Sequence, residues 1–301
     1  ATDASSNTTT SSMTVTVTDA QAPAVSAAAN VAVNTDAGQC TASVSIVNAT
    51  YSDNCTFGSA PLAFSMNGST TGSGSGQVGT YTFNKGVTTI TYTVTDASGN
   101  SSTSSMTVTV TDAQAPAVAA ASNVAVNTDA GQCTALVTIT NATYSDNCSG
   151  ATLSYVMSGA TVKASTAGQV GTYTFNKGVT TITYTATDAS GNTTTSSMTV
   201  TVTDAQAPAV AAASNVAVNT DANQCTASVI ITDATYSDNC SATLSYVMSG
   251  ATVKASTAGQ VGTYTFNKGV TTITYTATDA SSNTTTSSMT VTVTDAQAPA
   301  V

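Results

Sequence analysis

Histidine, arginine, glutamate and tryptophan are absent from this chain of 301 residues, and lysine occurs only five times. Without histidine, a Ser-His or Cys-His nucleophilic pair is excluded. The acidic residues are all aspartate, and the net charge of −10 repels nucleic acid and anionic membrane surfaces. No apolar run reaches about 18 residues, the length typical of a membrane span. These absences predict no nucleic-acid partner and no direct membrane insertion.

A string of seven residues, Asp-Ala-Gln-Ala-Pro-Ala-Val, occurs four times and divides the chain into repeats. It starts at Asp19, Asp112, Asp204 and Asp295. Each interval has the length of one small domain. The predicted organisation is the C-terminal strand of a preceding repeat at 1–18, repeat 1 at 19–111, repeat 2 at 112–203, repeat 3 at 204–294, and the start of a further repeat at 295–301.

The first and last segments of the chain are identical, since residues 1–25 match residues 277–301. This identity predicts that the three repeats form a super-repeat of a longer protein; the alternative is an arbitrary boundary. Residues 1–18 then supply one strand, which is completed either by the rest of its own domain or by strand addition to a neighbouring subunit. No signal peptide or lipidation motif is visible, so we expect both ends to lie within a longer gene product.

Apolar residues alternate with threonine in several short segments, as in Ile90–Thr95 and Met106–Thr111. Such alternation is typical of half-buried strands. Turn signals separate the segments, for example Asn84–Gly86 and Asp96–Asn100. About seven short strands per repeat predict an all-β fold, a tandem array of immunoglobulin-like antiparallel β-sandwiches.

Six cysteines occur as one pair in each repeat, and the members of a pair are 15 positions apart. The absence of histidine and of Cys-x-x-Cys argues against zinc. The recurrence of one pair per domain predicts three intradomain disulfides, which implies an oxidising, extracellular setting. The predicted pairs are Cys40–Cys55, Cys133–Cys148 and Cys225–Cys240.

Four strings of repeat 1, namely Gly38–Cys40, Asp53–Cys55, Gly86–Asn100 and Val108–Pro116, resemble the hyalin repeat (HYR) domain. The resemblance covers all three repeats. Bacterial members of the family occur in giant repetitive surface proteins, including adhesins of gliding flavobacteria. The resemblance therefore implies an immunoglobulin-like fold and an adhesive role at the cell surface, attached to the outer membrane. Many HYR domains have a cysteine in the last strand, where Met106 stands here, so disulfide topology is not transferable.

Aspartates are predicted to meet at the junctions between repeats. In a seven-strand sandwich, the loop between the first and second strands lies at the same end of the domain as its C-terminus. The loop between the second and third strands and the loop between the sixth and seventh strands lie at the opposite end. Clustered carboxylates suit Ca²⁺, so we expect interdomain calcium and no other cofactor. The alternative is that these aspartates form Asx-turns. The predicted ligands are Asp36, Asp112, Asp146 and Asp188 at the first junction, and Asp129, Asp204, Asp238 and Asp279 at the second.

The leading functional hypothesis is an extracellular structural or adhesive stalk, whose partners are the neighbouring repeats of one long chain. Every candidate catalytic aspartate recurs in each repeat within a turn motif, which favours a structural task, so we expect no enzyme. One alternative is a multivalent module that binds surface polysaccharide or other cell-surface proteins, for which an exposed aromatic platform on each repeat would be the signature. Another alternative is a filament that assembles by strand exchange.

Overall fold

The computed structural model describes residues 1–298, with the backbone alone for Ser59 and Ala60. Of the predicted segment 295–301, residues 299–301 lie outside the described residues. Strands joined by turns form the described part of the chain, and no helix long and apolar enough to cross a membrane occurs in it.

Within the described residues, each repeat contributes nine strands. Those of repeat 1 are β1 (Ala24–Ser26), β2 (Val31–Asn34), β3 (Thr41–Ser45), β4 (Thr50–Ser52), β5 (Phe57–Gly68), β6 (Gly72–Ser75), β7 (Thr80–Asn84), β8 (Gly86–Asp96) and β9 (Ser101–Thr111). Those of repeat 2 are β10 (Ala117–Ala119), β11 (Val124–Asn127), β12 (Thr134–Thr138), β13 (Thr143–Ser145), β14 (Thr152–Gly159), β15 (Lys163–Ala167), β16 (Thr172–Asn176), β17 (Gly178–Thr187) and β18 (Thr193–Thr203). Those of repeat 3 are β19 (Ala209–Ala211), β20 (Val216–Asn219), β21 (Thr226–Ile230), β22 (Thr235–Ser237), β23 (Ala242–Gly250), β24 (Lys254–Ala258), β25 (Thr263–Asn267), β26 (Gly269–Asp279) and β27 (Thr284–Thr294).

The strands of repeat 1 form a five-stranded sheet in the order β2-β9-β8-β5-β6, together with the pairs β3-β7 and β1-β4. Repeats 2 and 3 have the same arrangement. The predicted fold, tandem immunoglobulin-like sandwiches, is confirmed. One detail differs from an entirely antiparallel sandwich, since β2 pairs with β9 in parallel. The first segment of the repeat is divided at residues 27–30, so β1 pairs with β4 while β2 joins the larger sheet alongside the last strand.

The core of repeat 1 lies between these sheets and is filled by alternate residues of the long strands. Along β8, Ile90, Tyr92 and Val94 are all fully buried, while the threonines between them are partly exposed. Phe83 of β7 and Met106 of β9 complete the centre. Because side chains alternate across a strand, the period-two pattern of the sequence becomes one apolar face per strand.

Replacement of Ile90 by alanine is expected to destabilise repeat 1 by about 2–5 kcal/mol, because it leaves a cavity in a closed core. Val87 of the same strand is the matched control: its side chain is 51% exposed, so Val87→Ala should change stability by less than about 0.5 kcal/mol. Thermal unfolding followed by circular dichroism would show an added early transition for Ile90→Ala alone. Equal effects of the two substitutions would contradict the assigned faces.

The chain divides into two compact units. Unit 1 comprises Ala1–Ala117, Ser145–Ala151 and Thr187–Thr194, so it contains repeat 1 together with two loops of repeat 2. Unit 2 comprises the remainder of repeat 2, the whole of repeat 3 and the described residues that follow it. The residue boundaries predicted for the individual repeats stay a prediction.

Candidate functional site

Two disulfides connect different repeats. In unit 1, Cys40 of repeat 1 is bonded to Cys148 in a loop of repeat 2, with Cα atoms 4.8 Å apart. In unit 2, Cys133 of repeat 2 is bonded to Cys240 of repeat 3, again with Cα atoms 4.8 Å apart. Both separations lie within the usual range for disulfides. We call the surroundings of these bonds the first and the second junction.

The predicted intradomain pairing is therefore wrong. Cys40 immediately precedes β3, whereas Cys55 follows β4, so β3 carries the chain away from Cys40 toward the opposite end of the sandwich. A five-residue strand spans about 16 Å, far more than a disulfide can bridge. Cys55 and Cys225, which were expected in intradomain bonds, are exposed free thiols.

Three carboxylates meet at each junction. Oxygens of Asp112, Asp146 and Asp188 lie within 4.8 Å of one another at the first junction. The second junction has the equivalent cluster Asp204, Asp238 and Asp279, with the same limit of 4.8 Å. The structure thus brings together six of the eight aspartates predicted as calcium ligands.

Asp36 and Asp129, the other two predicted ligands, are not part of these clusters. The Oδ2 atom of Asp36 accepts a hydrogen bond from the backbone N–H of Ser43 at 2.9 Å. Asp129 accepts one from Leu136 in the same way, at 2.9 Å. These carboxylates stabilise the turn between the second and third strands of their repeats, through a bond to the residue seven positions on rather than the Asx-turn bond two positions on.

The loop that follows β17 holds Asp188 rigidly. Its Oδ1 atom accepts the backbone N–H groups of Ser190 and Asn192, both at 2.8 Å. The side chain of Asn192 donates to Asp188 Oδ2 at 2.8 Å and to the carbonyl of Asp112 at 3.1 Å. Burial raises the pKa of Asp188, but the hydrogen bonds from Asn192 and Ser190 outweigh it, so the pKa lies below its ordinary value. Asp188 is therefore ionised and fixed beside the linker.

Several oxygens of the first junction are buried without a hydrogen-bond partner: Asp112 Oδ2, Asp146 Oδ1 and Asn147 Oδ1. Asp112 is only 2% exposed, and the nearest cation is the ammonium of Lys85, at 3.6 Å from Oδ2. The side chain of Asn147 instead donates to the carbonyl of Gln39 at 2.8 Å, which ties the two repeats together. Buried oxygens without donors are costly, so this arrangement fits a bound cation.

The second junction reproduces this arrangement. Asp204 Oδ2, Asp238 Oδ1 and Asn239 Oδ1 are buried without a hydrogen-bond partner. Lys177 lies 3.9 Å from Asp204, and Asn239 donates to the carbonyl of Gln132 at 2.8 Å. The same three oxygens lack a hydrogen-bond partner at both junctions, so this arrangement is a property of the repeat.

A third cluster, not predicted from the sequence, comprises Asp19, Asp53 and Asp96 at the start of repeat 1. These aspartates occupy the positions of Asp112, Asp146 and Asp188 one repeat earlier. The only sequence signal for this cluster is the repeat spacing, which relates each of its aspartates to a predicted ligand one repeat later. It places a carboxylate cluster at the start of every repeat, whether or not a described repeat precedes it.

No curated protein matches the chain. Similar solved structures include a 1.5-MDa bacterial ice-binding adhesin, with 14% identity, a TM-score of 0.39, and coverage of 93% of this chain and 100% of that one. Others are a Ca²⁺-stabilised ice-binding adhesin of an Antarctic bacterium (17% identity, TM-score 0.36, 98% and 80% covered) and the EC22–24 segment of mouse cadherin-23 (14%, 0.35, 91% and 99%). These likenesses carry no functional argument.

The family model of the HYR domain matches three consecutive segments, residues 18–110, 111–202 and 203–293. Together they cover nearly the whole chain, and each contains one copy of the sandwich described above. The chain belongs to the HYR domain family, as a tandem array of three repeats.

Proposed function

We propose that this chain is a segment of an extracellular structural array, in which repeats fixed to one another extend an adhesin from the bacterial surface. The observation that carries the proposal is the bonding across both junctions. Each junction combines a disulfide with an asparagine that donates to a backbone carbonyl of the preceding repeat. Arrays of this kind gain reach by repetition, with contacts between neighbours only.

The disulfides also support the location. Disulfides persist in oxidising environments such as the cell surface and are rare in the cytosol. The acidic, threonine-rich composition is compatible with prolonged exposure to solvent. Attachment to the outer membrane and participation in gliding motility are finer predictions, implied by the family resemblance.

Calcium at the junctions is part of the proposal. At the first junction, three carboxylates and one ammonium leave two negative charges, which a divalent cation would neutralise. The residues that would hold it are Asp112, Asp146 and Asp188, with the Asn147 side-chain oxygen as a neutral ligand. Because these groups come from the linker and from two loops of repeat 2, the bound ion would stiffen the linker against its neighbouring repeat.

Peptide mapping without reductant tests the junctions directly. Cleavage before aspartate places each of the six cysteines on a separate peptide, so every pairing has its own mass. We expect the linked peptides Cys40–Cys148 and Cys133–Cys240 in protein secreted from an oxidising compartment. Intradomain pairs, or six free thiols, would overturn the proposal that the junctions are locked.

A multivalent binding module is a second candidate, because each repeat exposes one tyrosine. Tyr51, Tyr144 and Tyr236 are 40%, 43% and 44% exposed at equivalent positions, and aromatic faces stack on sugars. By contrast, Tyr155 and Tyr246 are buried at 3% exposure, so they form no platform.

A glycan array distinguishes the two functions. The structural proposal predicts no saturable binding of the chain to any glycan. Binding that is lost when Tyr51, Tyr144 and Tyr236 are all replaced by alanine would favour the binding module. The matched control replaces Tyr81, Tyr173 and Tyr264, which are partly buried against the cores.

Strand exchange is a third candidate, supported by the exposure of residues 8–18. This segment has the same sequence as β27, yet Met13, Val15 and Val17 are 84%, 72% and 91% exposed. Sedimentation of a Cys55→Ser/Cys225→Ser variant, with and without residues 1–18, tests it. The structural proposal predicts monomers in both cases; assembly that requires residues 1–18 would favour strand exchange.

A further inference from the structure

Each junction disulfide adjoins the carboxylate cluster of its own junction. At the first junction, Asp146, Asn147 and Cys148 are consecutive residues of the loop between β13 and β14. This loop therefore carries one carboxylate of the cluster, the neutral amide proposed as a further ligand, and one half of the bond to Cys40. A change in the position of Cys148 is thus transmitted to two groups of the proposed calcium site.

Hydrogen bonds hold this loop so that two of its oxygens remain available. The backbone N–H of Cys148 donates to Asp146 Oδ2 at 3.2 Å, and Asp146 Oδ1 is buried without a partner. The side-chain nitrogen of Asn147 donates to the Gln39 carbonyl at 2.8 Å and to Cys148 Sγ at 3.7 Å, while its Oδ1 has no partner. Since Gln39 immediately precedes Cys40, both sides of the disulfide take part in placing these oxygens.

The Cys40 side of the bond also holds the linker aspartate. The backbone N–H of Gly38 donates to the side chain of Gln114 at 2.9 Å, and the N–H of Gln114 donates to Asp112 Oδ1 at 3.2 Å. The carbonyl of Cys40 accepts the N–H of Lys85 at 3.1 Å, and the ammonium of Lys85 lies 3.6 Å from Asp112 Oδ2. Reduction of the disulfide would therefore release the turn that holds Asp112 from the loop that carries the other ligands.

The second junction has the same connections between its disulfide and its carboxylates. The backbone N–H of Cys240 donates to Asp238 Oδ2 at 2.9 Å, and the side-chain nitrogen of Asn239 donates to Cys240 Sγ at 3.5 Å. On the other side of the bond, the carbonyl of Cys133 accepts the N–H of Lys177 at 3.1 Å. The link between bond and cluster is therefore present at both junctions.

We infer that the disulfide of each junction is a positioning element of the calcium site, so that the bond and the ion stabilise each other. The inference rests on the proposed binding of calcium. With the bond intact, Asn147 already donates to Asp112 Oδ1 at 3.4 Å, so binding has to order fewer groups. With the bond reduced, the loop loses its covalent tie, and binding must also order Asp146 and Asn147.

Reduction is expected to weaken calcium binding at a junction about tenfold, within the usual range of coupling between two sites. Binding is weakened but not abolished, because Asp188 is held by N–H groups of its own loop. Coupling is reciprocal, so saturating Ca²⁺ should lower the reduction potential of the same disulfide. A tenfold change corresponds to about 30 mV for a two-electron couple.

Redox titration of the full chain tests this reciprocity. The protein is equilibrated with mixtures of reduced and oxidised dithiothreitol, with excess Ca²⁺ or with EDTA at constant ionic strength, and free thiols are then alkylated. Dithiothreitol supplies two electrons and two protons per bond and closes to its own disulfide. Mass spectrometry of the digest follows the Cys40–Cys148 and Cys133–Cys240 peptides separately, and both bonds should resist reduction more strongly in Ca²⁺.

Asp112→Asn is the matched variant, because it changes a ligand of the first junction alone. The Cys40–Cys148 bond should then cease to respond to Ca²⁺, while the Cys133–Cys240 bond of the same molecule keeps its shift. Calorimetric titration of Cys40→Ser/Cys148→Ser gives the converse measurement. One calcium site of this variant should bind about tenfold more weakly than in the unsubstituted oxidised chain.

Equal reduction potentials in Ca²⁺ and in EDTA would overturn the inference, and so would a shift at the first junction that survives Asp112→Asn. Failure of the proposed calcium function is distinguishable from these outcomes. In that case calorimetry detects no calcium binding to the oxidised chain, and the inference fails with it. Calcium binding of equal affinity with and without the Cys40–Cys148 bond contradicts the inference alone.

Discussion

Pulled from its two ends, the oxidised chain is expected to unravel to a contour length of only about 40 nm, against about 100 nm after reduction. The two disulfides overlap along the sequence, because Cys133 precedes Cys148. Tension therefore runs through residues 1–40, back through 133–148, and onward through 240–301. That path has about 115 peptide units instead of about 300, each up to about 3.5 Å long. Single-molecule force spectroscopy measures the length directly.

The same measurement distinguishes the pairings. Three intradomain disulfides would hide only the three short loops and give about 90 nm. The variant Cys40→Ser/Cys148→Ser, which retains one junction bond, should give an intermediate length of about 65–70 nm. Cys55→Ser/Cys225→Ser is the matched control and should remain near 40 nm, since those thiols are free. A control that lengthens would show that the assigned bonds are wrong.

Calcium is expected to raise the thermal unfolding midpoint of the oxidised chain. A ligand at a hundredfold excess over its Kd stabilises the folded state by about 2.7 kcal/mol per site, provided it binds the folded state alone. Asp112→Asn and Asp204→Asn together should remove most of this gain, because each aspartate offers a buried oxygen without a hydrogen-bond partner. Differential scanning calorimetry with Ca²⁺ and with EDTA provides the comparison.

Asp233→Asn is the control for the calcium experiment. It removes the same charge from an exposed side chain outside the clusters, so the response to Ca²⁺ should persist. An unchanged midpoint with and without EDTA would rule out stabilisation by calcium. Equal losses for Asp112→Asn and Asp233→Asn would indicate general screening of the acidic chain.

The sandwich itself could be predicted because local chemistry and tertiary structure agree. Threonine and apolar residues alternate along β8 and β9, and each buried residue of these strands falls on the face that the pattern assigns to the core. The parallel pairing of β2 with β9 could not be predicted in this way, because alternation identifies a face but carries no information about which neighbour a strand selects.

The disulfide partners show where spacing misleads. A constant separation of 15 residues suggests a local bond, but two short strands lie between the two cysteines, which end at opposite ends of the sandwich. The loop positions that bring Asp146 to Asp112 also bring Cys148 to Cys40. The disulfide partners could therefore be predicted from the order of strands and loops, but not from the number of residues that separates two cysteines.

The carboxylate clusters were predicted in part for a related reason. The polarity of the loops brings Asp146 and Asp188 to the linker aspartate, as topology predicts. Asp36 lies at the same junction in sequence terms, but its carboxylate is occupied by the N–H of Ser43. Loop position determines which groups are near, whereas local backbone donors determine which of them remain available.

The overlapping bonds have a consequence for damage by proteases. Cys40 is linked forward to Cys148, and Cys133, which lies between them, is linked forward to Cys240. Cleavage of any single peptide bond between Cys40 and Cys240 therefore leaves a disulfide that still connects the two fragments. A molecule cleaved once in this range would therefore remain a single covalent molecule across all three repeats, although its backbone is broken.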